Sequence, residues 1–157
     1  MPYQKLLAHL DDNRVKYVTI RHSPAYTAQE IAALAHIPGK DVAKTVMLKV
    51  DDKLSMAVLP ASQKVDIAHF AQLIRAKHVQ LACEKEFADE FPGCELGAMP
   101  PFGNLWDMPV YVSKSLTEDE HIAFNAGTHT ELIQLAYADY KRLVKPTVVD
   151  FAIAEYA

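Results

Sequence analysis

The chain has 157 residues, half of them hydrophobic and 23% charged, a composition that suits one globular domain with a substantial core over 1–157 and excludes disorder. Its 20 acidic residues against 16 basic ones give a formal net charge of −4, so the signature of a non-specific DNA or RNA binder is missing and any RNA should be gripped locally, with help. The cysteines, Cys83 and Cys94, form neither a CxxC pair nor a disulfide framework. Together with the lack of a secretory leader or a bilayer-length apolar run, they predict a reducing, cytoplasmic setting away from membranes.

The first element is a helix over "YQKLLAHLDDN", with Leu6, Leu7 and Leu10 on one face. "KYVTI" reads as a short strand. "HSPAYTAQEIAALAHIPG" predicts a helix in which Thr27 and Glu30 have capping-box spacing, Ile31, Leu34 and Ala35 form the apolar face, and Pro38-Gly39 stops the chain. "DVAKTVMLKV" and "KLSMAVLP" are strands joined by a tight Asp51-Asp52 turn. "VDIAHFAQLIRA" is an amphipathic helix, "VQLA" a strand, and "CEKEFADEF" a short helix ended by Pro92 and Gly93. A Gly/Pro-rich loop precedes three more strands, "PVYV", "HIAFNAG" and "ELIQLA". "YADYKRLV" is a late helix, and the remaining residues read as a simple terminal segment. The elements do not alternate regularly. They predict an α/β fold of the α+β type, a mixed, largely antiparallel sheet with helices packed around it.

Familiar catalytic chemistry is missing from the pattern. The seven histidines (His9, His22, His36, His69, His78, His121 and His129) show no HxxxH pair, and no cysteine lies beside one in sequence. No metal or other cofactor is therefore expected. There is no nucleophile elbow, P-loop or dinucleotide fingerprint. Cys83 and Cys94 read as small core residues rather than nucleophiles.

"GAMPPFGNLWDMP", Gly97 to Pro109, holds two glycines and three prolines in a chain with only 5 Gly and 9 Pro. Such a stretch is either a rigid connector or a shaped backbone surface. Glycine lets amides approach a ligand, and proline fixes the dihedrals around them. Lys44, inside "VAKTV", is either an outward-facing strand lysine or a cation serving a site.

Three segments in order are identified with the YbaK / prolyl-tRNA-synthetase-associated editing domain: "IPGKDVAKTVMLKV", "GAMPPFG" with G-x-x-x-P at Gly97 and Pro101, and "FNAGTHTELIQL". The similarity runs from "HSPAYTAQE" to "LIQLAYADY". It implies an aminoacyl-tRNA deacylase, which hydrolyses the ester joining a wrong amino acid to the terminal adenosine. With no synthetase module, the chain looks like a trans-acting member. A synthetase pocket discriminates by only about 1–3 kcal/mol per methylene, so a second, hydrolytic site repairs what escapes.

The resemblance places Lys44, Gly97 and Pro101 in the catalytic site. Thr45, Ala98, Met99, Gly127 and His129 would line the substrate pocket. Ala98 and Met99 are the candidate amide donors, because Pro100 and Pro101 have no N–H. His129 would select the amino acid, while a ribose hydroxyl of the substrate helps activate water. Thr45 departs from relatives that carry Asn after the lysine, which leaves the amino-acid preference open. Phe102 and Trp106 are either adenine-stacking residues or anchors of the loop. The expected substrate is the 3′ end of a mischarged tRNA, tRNA for proline carrying alanine or another small amino acid. Prolyl-tRNA synthetase or an elongation factor would deliver it. A non-catalytic aminoacyl-tRNA or synthetase-binding module and a different small-ester hydrolase are the competing readings.

Overall fold

The apolar run in the middle of the chain folds as a long hairpin, β2 (Ala43–Val50) and β3 (Lys53–Pro60), after α1 (Gln4–Asp12), β1 (Tyr17–Arg21) and α2 (Ala28–Ala35). The computed structural model describes residues 3–25 and 27–154. Tyr26, within the stretch read as helical, lies outside them. The hairpin pairs antiparallel from Ala43–Pro60 to Val50–Lys53. Asp51 and Asp52 close it at φ 48° and 69°, the left-handed conformations that a two-residue turn requires. The Asp51 carboxylate accepts from the Lys77 and His78 amides at 2.9 and 2.8 Å, which fixes the turn.

The chain continues through β4 (Gln63–Val65), α3 (Ile67–Ile74), β5 (Val79–Leu81) and α4 (Glu84–Phe87). After the Gly/Pro loop come β6 (Val110–Ser113), β7 (His121–Asn125), β8 (Glu131–Ala136) and α5 (Tyr137–Val144). The chain then adds β9 (Thr147–Val149) and β10 (Ala152–Ala154). The C-terminal stretch is therefore not a simple tail. β9 runs parallel to β6, and β10 pairs with β4. Strands of three residues are too short to show a period, so only their distant partners define them.

The mixed arrangement matches the expectation, but it is divided. One sheet has the order β5-β2-β3-β6-β9, a second β1-β8-β7, and a third the β10-β4 pair. A parallel bridge between Val42 and Ala123, reinforced by Ala123 N–H donating to Asp41 O at 2.9 Å, joins the first two sheets. The main core lies between them. It takes Leu6 and Leu10 from α1, Met56 and Val58 from β3, Phe124 and Ile133 from β7 and β8, and Tyr140 from α5. On the far side of the five-stranded sheet, Phe70 of α3 packs with Leu48, Leu59 and Phe151. On the far side of the three-stranded sheet, Ile31 of α2 packs with Ala123 and Leu132. The Thr27 side chain caps α2 by accepting from Glu30 N–H at 3.1 Å, as its spacing predicts.

Candidate active site

The Gly97–Pro101 loop is held by its own backbone. Gly97 sits at φ 85°, a conformation open to glycine and strained for other residues. Ala98 N–H donates to Glu95 O at 3.0 Å, so this amide is already used. Gly97 N–H meets only the Met99 sulfur, at 3.2 Å, and thioether sulfur is a weak acceptor. Met99 N–H makes no hydrogen bond among the described residues. Pro101 follows as the middle of a tight turn, with Phe102 N–H donating to Pro100 O at 2.8 Å. The Pro101 carbonyl accepts from the Tyr140 hydroxyl at 2.8 Å. Tyr140 is fully buried, and burial pushes its pKa well up, so its hydroxyl stays a donor.

The β7–β8 hairpin tip closes over this loop. Glu95 N–H donates to Gly127 O at 2.8 Å, and Gly127 N–H donates to Ala98 O at 2.9 Å. Gly127 lies at φ 94°, and a Cβ there would come within 2.8 Å of the Tyr3 Cβ. Its place is set by backbone packing. His129 lies in the tip rather than in the strand that follows. Its Nε2 is 2.8 Å from Leu96 O, and its backbone N–H donates to the Glu95 carboxylate at 3.1 Å. A carbonyl only accepts, so Nε2 carries the hydrogen. A Cβ on Gly97 would sit 3.4 Å from the His129 Cε1. The imidazole thus forms a brace beneath the glycine.

Lys44 and Thr45 are neighbours on one strand and therefore point to opposite faces. The pairing of Thr45 with Val58 puts it on the face of the main core. Lys44 shares its face with Val46 and Leu48, and its Nζ donates to Ala61 O at 3.4 Å. The Val42–Ala123 bridge brings the start of β2 beside β7, on which Asn125 lies two residues further along. Asn125 Oδ1 is buried with no hydrogen-bond partner. His22 N–H donates to Thr130 O at 2.8 Å, which continues the β1–β8 pairing. His22 Nδ1 lies 2.7 Å from Ser23 O, so Nδ1 carries the hydrogen, and Nε2 is a buried acceptor with no partner. Backbone hydrogen bonds and close packing thus bring Gly97, Ala98, Gly127 and His129 together, while Lys44 is held apart from them, at Ala61.

The second half of the loop is an anchor. Phe102 is fully buried against Phe124 and Tyr140, with ring centroids 5.5 and 5.4 Å away. Trp106 stacks on Tyr3 at 5.8 Å and meets Phe91 edge-on at 4.6 Å. Neither cysteine is a fully buried core residue: Cys83 is exposed at the start of α4, and Cys94 is half-buried. Burial pushes the Cys94 thiol up to about 11, which leaves very little thiolate near neutral pH. Sequence reasoning missed Glu95, Tyr140, Asn125 and His22. Asn125 lay in a segment quoted for the resemblance, and His22 and Tyr140 at the two ends of the similar stretch, but nothing in their spacing marked them; Glu95 lay just before the loop motif.

The comparisons with known proteins follow the same segments. A family profile described as "Aminoacyl-tRNA editing domain" matches residues 22–143. The "Multifunctional Ser/Thr-tRNA deacylase ProXp-y" of Escherichia coli (strain K12) is 29% identical over 154 residues, covering 95% of this chain and 92% of that one. The "Prolyl-tRNA editing protein ProX" of Acetoanaerobium sticklandii is 26% identical over 149 residues, 90% of each chain. The "Proline--tRNA ligase" of Bacillus subtilis is 26% identical over 106 residues, 67% of this chain but 19% of the ligase. A solved structure described as a candidate trans-editing enzyme for prolyl tRNA synthetase shares the fold, with a TM-score of 0.80 and 18% identity over 98% of this chain and 97% of that one. The match of the profile across most of the chain, on the segments that build the loop and the hairpin tip, makes this chain a member of the aminoacyl-tRNA editing domain family.

Proposed function

We propose that the protein hydrolyses the ester of mischarged aminoacyl-tRNA in trans. One observation carries this reading: in a loop whose Ala98 N–H and whose Ala98, Pro100 and Pro101 carbonyls are hydrogen-bonded, the Gly97 and Met99 amides are not committed to any oxygen acceptor. Two such amides suit the oxyanion that forms when water attacks the ester carbonyl. A pre-fixed pair of donors needs no rearrangement as the charge develops. Pro101 contributes through the fixed turn and its Tyr140 anchor, Gly127 by tying loop to hairpin, and His129 by supporting Gly97.

Lys44 supplies the cation for the ester or the terminal phosphate. Asn125 Oδ1 and His22 Nε2 are acceptors suited to the α-ammonium group of the aminoacyl moiety. No described residue is placed as a protein nucleophile. The substrate's own ribose hydroxyl assists the attacking water, and the protein contributes position and charge. The amino acid is a small one, with alanine on tRNA for proline as the first candidate. The names of the relatives add serine and threonine to the panel. Delivery by prolyl-tRNA synthetase or an elongation factor fits the acidic net charge.

Deacylation of Ala-, Ser- and Thr-charged tRNAs tests the proposal, with wild type beside Lys44→Ala. Hydrolysis above the buffer rate for at least one ester, lost in the variant, is expected. The buffer rate for every ester would overturn the enzyme reading and favour a binding module.

A further inference from the structure

The three-stranded sheet has an outer face that α2 covers at only one end. Ile20, Ala123 and Leu132 lie beneath Ile31 there. At the other end, Val18 and Gln134 face each other across β1 and β8, and Val18 is 58% exposed. They floor an open cleft of about 530 Å³, lined also by Arg14, Lys16, His121 and Asp139.

The charges around this cleft are unbalanced. Its lining carboxylate, Asp139, is paired with Arg142 at 3.2 Å, and Asp11, which accepts from the Tyr17 hydroxyl at 3.0 Å, lies outside the lining. Arg14 and Lys16 are exposed, and their side chains have no ion pair or hydrogen bond among the described residues. Arg14 projects from a fixed point, because its N–H donates to Asp11 O and the Val15 N–H to Leu10 O, closing the end of α1. In a chain of net charge −4, two uncompensated cations beside a histidine, around a floor with an amide donor, make a local anion site.

We propose that this cleft holds the sugar-phosphate backbone of the tRNA acceptor arm while the 3′ ester lies at the hairpin tip. The proposal rests on the deacylase reading. Gln134 is four residues along β8 from Thr130. At about 3.4 Å per residue this is about 14 Å. Because α2 covers Leu132 between the two points, the backbone passes around the helix and meets the cleft several nucleotides from the ester. The occupant is a polyanion read by charge, so sequence preference does not originate here.

Arg14→Ala/Lys16→Ala tests it. Both side chains are exposed, so the thermal midpoint should match wild type. Binding of an uncharged tRNA transcript is followed by fluorescence anisotropy over a range of salt. The log–log salt slope should shrink by about 1.5–2, as for two lost phosphate contacts. On aminoacyl-tRNA, kcat/KM should fall about tenfold or more, the loss expected from two phosphate contacts at low salt. On 3′-aminoacyl-adenosine 5′-phosphate it should not change. An unchanged salt slope overturns the proposal, and so does an equal loss on both substrates, which would put the cations at the ester. If wild type hydrolyses no ester, the salt slope still reads the cleft, so this proposal and the deacylase reading fail separately.

Discussion

The two ends of the β1–β8–β7 sheet are built from different materials. At the hairpin tip the proposed working groups are backbone amides and buried neutral side chains, locked by Gly127, His129 and Pro101. At the other end the proposed ones are the exposed side chains of Arg14 and Lys16 over an open floor. An ester carbonyl is small and its developing charge is brief, so fixed dipoles serve it best. A phosphate backbone is long and its charge permanent, so mobile cations in high dielectric are enough. Substitutions at the tip should therefore act on kcat with any substrate. Substitutions at the cleft should act only when the polymer is present.

Gly97→Val should give the largest effect. It puts a β-branched residue at φ 85° and a side chain against His129. Loss of one aligned oxyanion donor lowers kcat by about 10²–10³. Gly97→Ala/His129→Ala separates the two causes. Removing the ring relieves the contact but leaves the dihedral strain, so activity should stay low. Full recovery would show that the steric contact alone matters, and that backbone conformation does not.

Lys44→Ala comes next, with an expected loss of tenfold to a hundredfold in kcat/KM, about 1.4 kcal/mol per factor of ten. The loss should be equal on aminoacyl-tRNA and on 3′-aminoacyl-adenosine 5′-phosphate, since both carry the ester and the terminal phosphate. A loss confined to full-length tRNA would move Lys44 into the same class as Arg14 and Lys16, and erase the contrast between the two ends.

What was legible in the sequence follows the same division between local and distant causes. The Thr27 cap, the Asp51-Asp52 turn and the β2–β3 hairpin depend on residues a few positions apart, and their pattern shows it. Gly97 and His129 were both placed in the site through family resemblance, and they lie close enough that a Cβ on the glycine would meet the imidazole. The choice between Ala98 and Met99 as donors was not legible, because it turns on Glu95 O and Gly127, one of them thirty residues away. The opposite faces of Lys44 and Thr45 follow from strand alternation alone, yet motif reading had put both in one pocket. Phe102 and Trp106 were open because an aromatic near a glycine looks the same whether it faces a base or a core. Their rings proved to be packed among Tyr3, Phe91, Phe124 and Tyr140.

Tyr140→Phe tests how far the tip depends on its anchor. The ring contacts with Phe102 survive, but the Pro101 carbonyl loses its donor. A buried carbonyl left without a partner costs about 1–3 kcal/mol. The thermal midpoint should fall by several degrees and kcat by less than in Gly97→Val. An unchanged midpoint would mean that water replaces the hydroxyl and that the loop does not need α5.

The smallest effect is expected where the two sheets meet. Asp119 precedes β7 by two residues and lies beside Asp41, whose carbonyl anchors the bridge to β2. Burial, then the neighbouring Asp41 carboxylate, raises the Asp119 pKa to about 6. An unfolded Asp titrates near 3.9, so the folded chain holds this proton more tightly. The resulting stability is complete below about pH 4 and is lost as the pH rises through about 6. Asp119→Asn keeps a donor toward Asp41 without the charge. It should leave the midpoint unchanged at pH 4 and raise it at pH 8 by about 2–4 °C, the shift for about 1 kcal/mol in a chain of this size. The gain is limited because Asp119 is only half-buried. A gain of equal size at both pH values would show that amide packing, and not the carboxylate pair, sets the effect. Hydrolysis of 3′-aminoacyl-adenosine 5′-phosphate at pH 8 should not change in this variant, because the joint positions β7 through Ala123 and Asp41, both left in place.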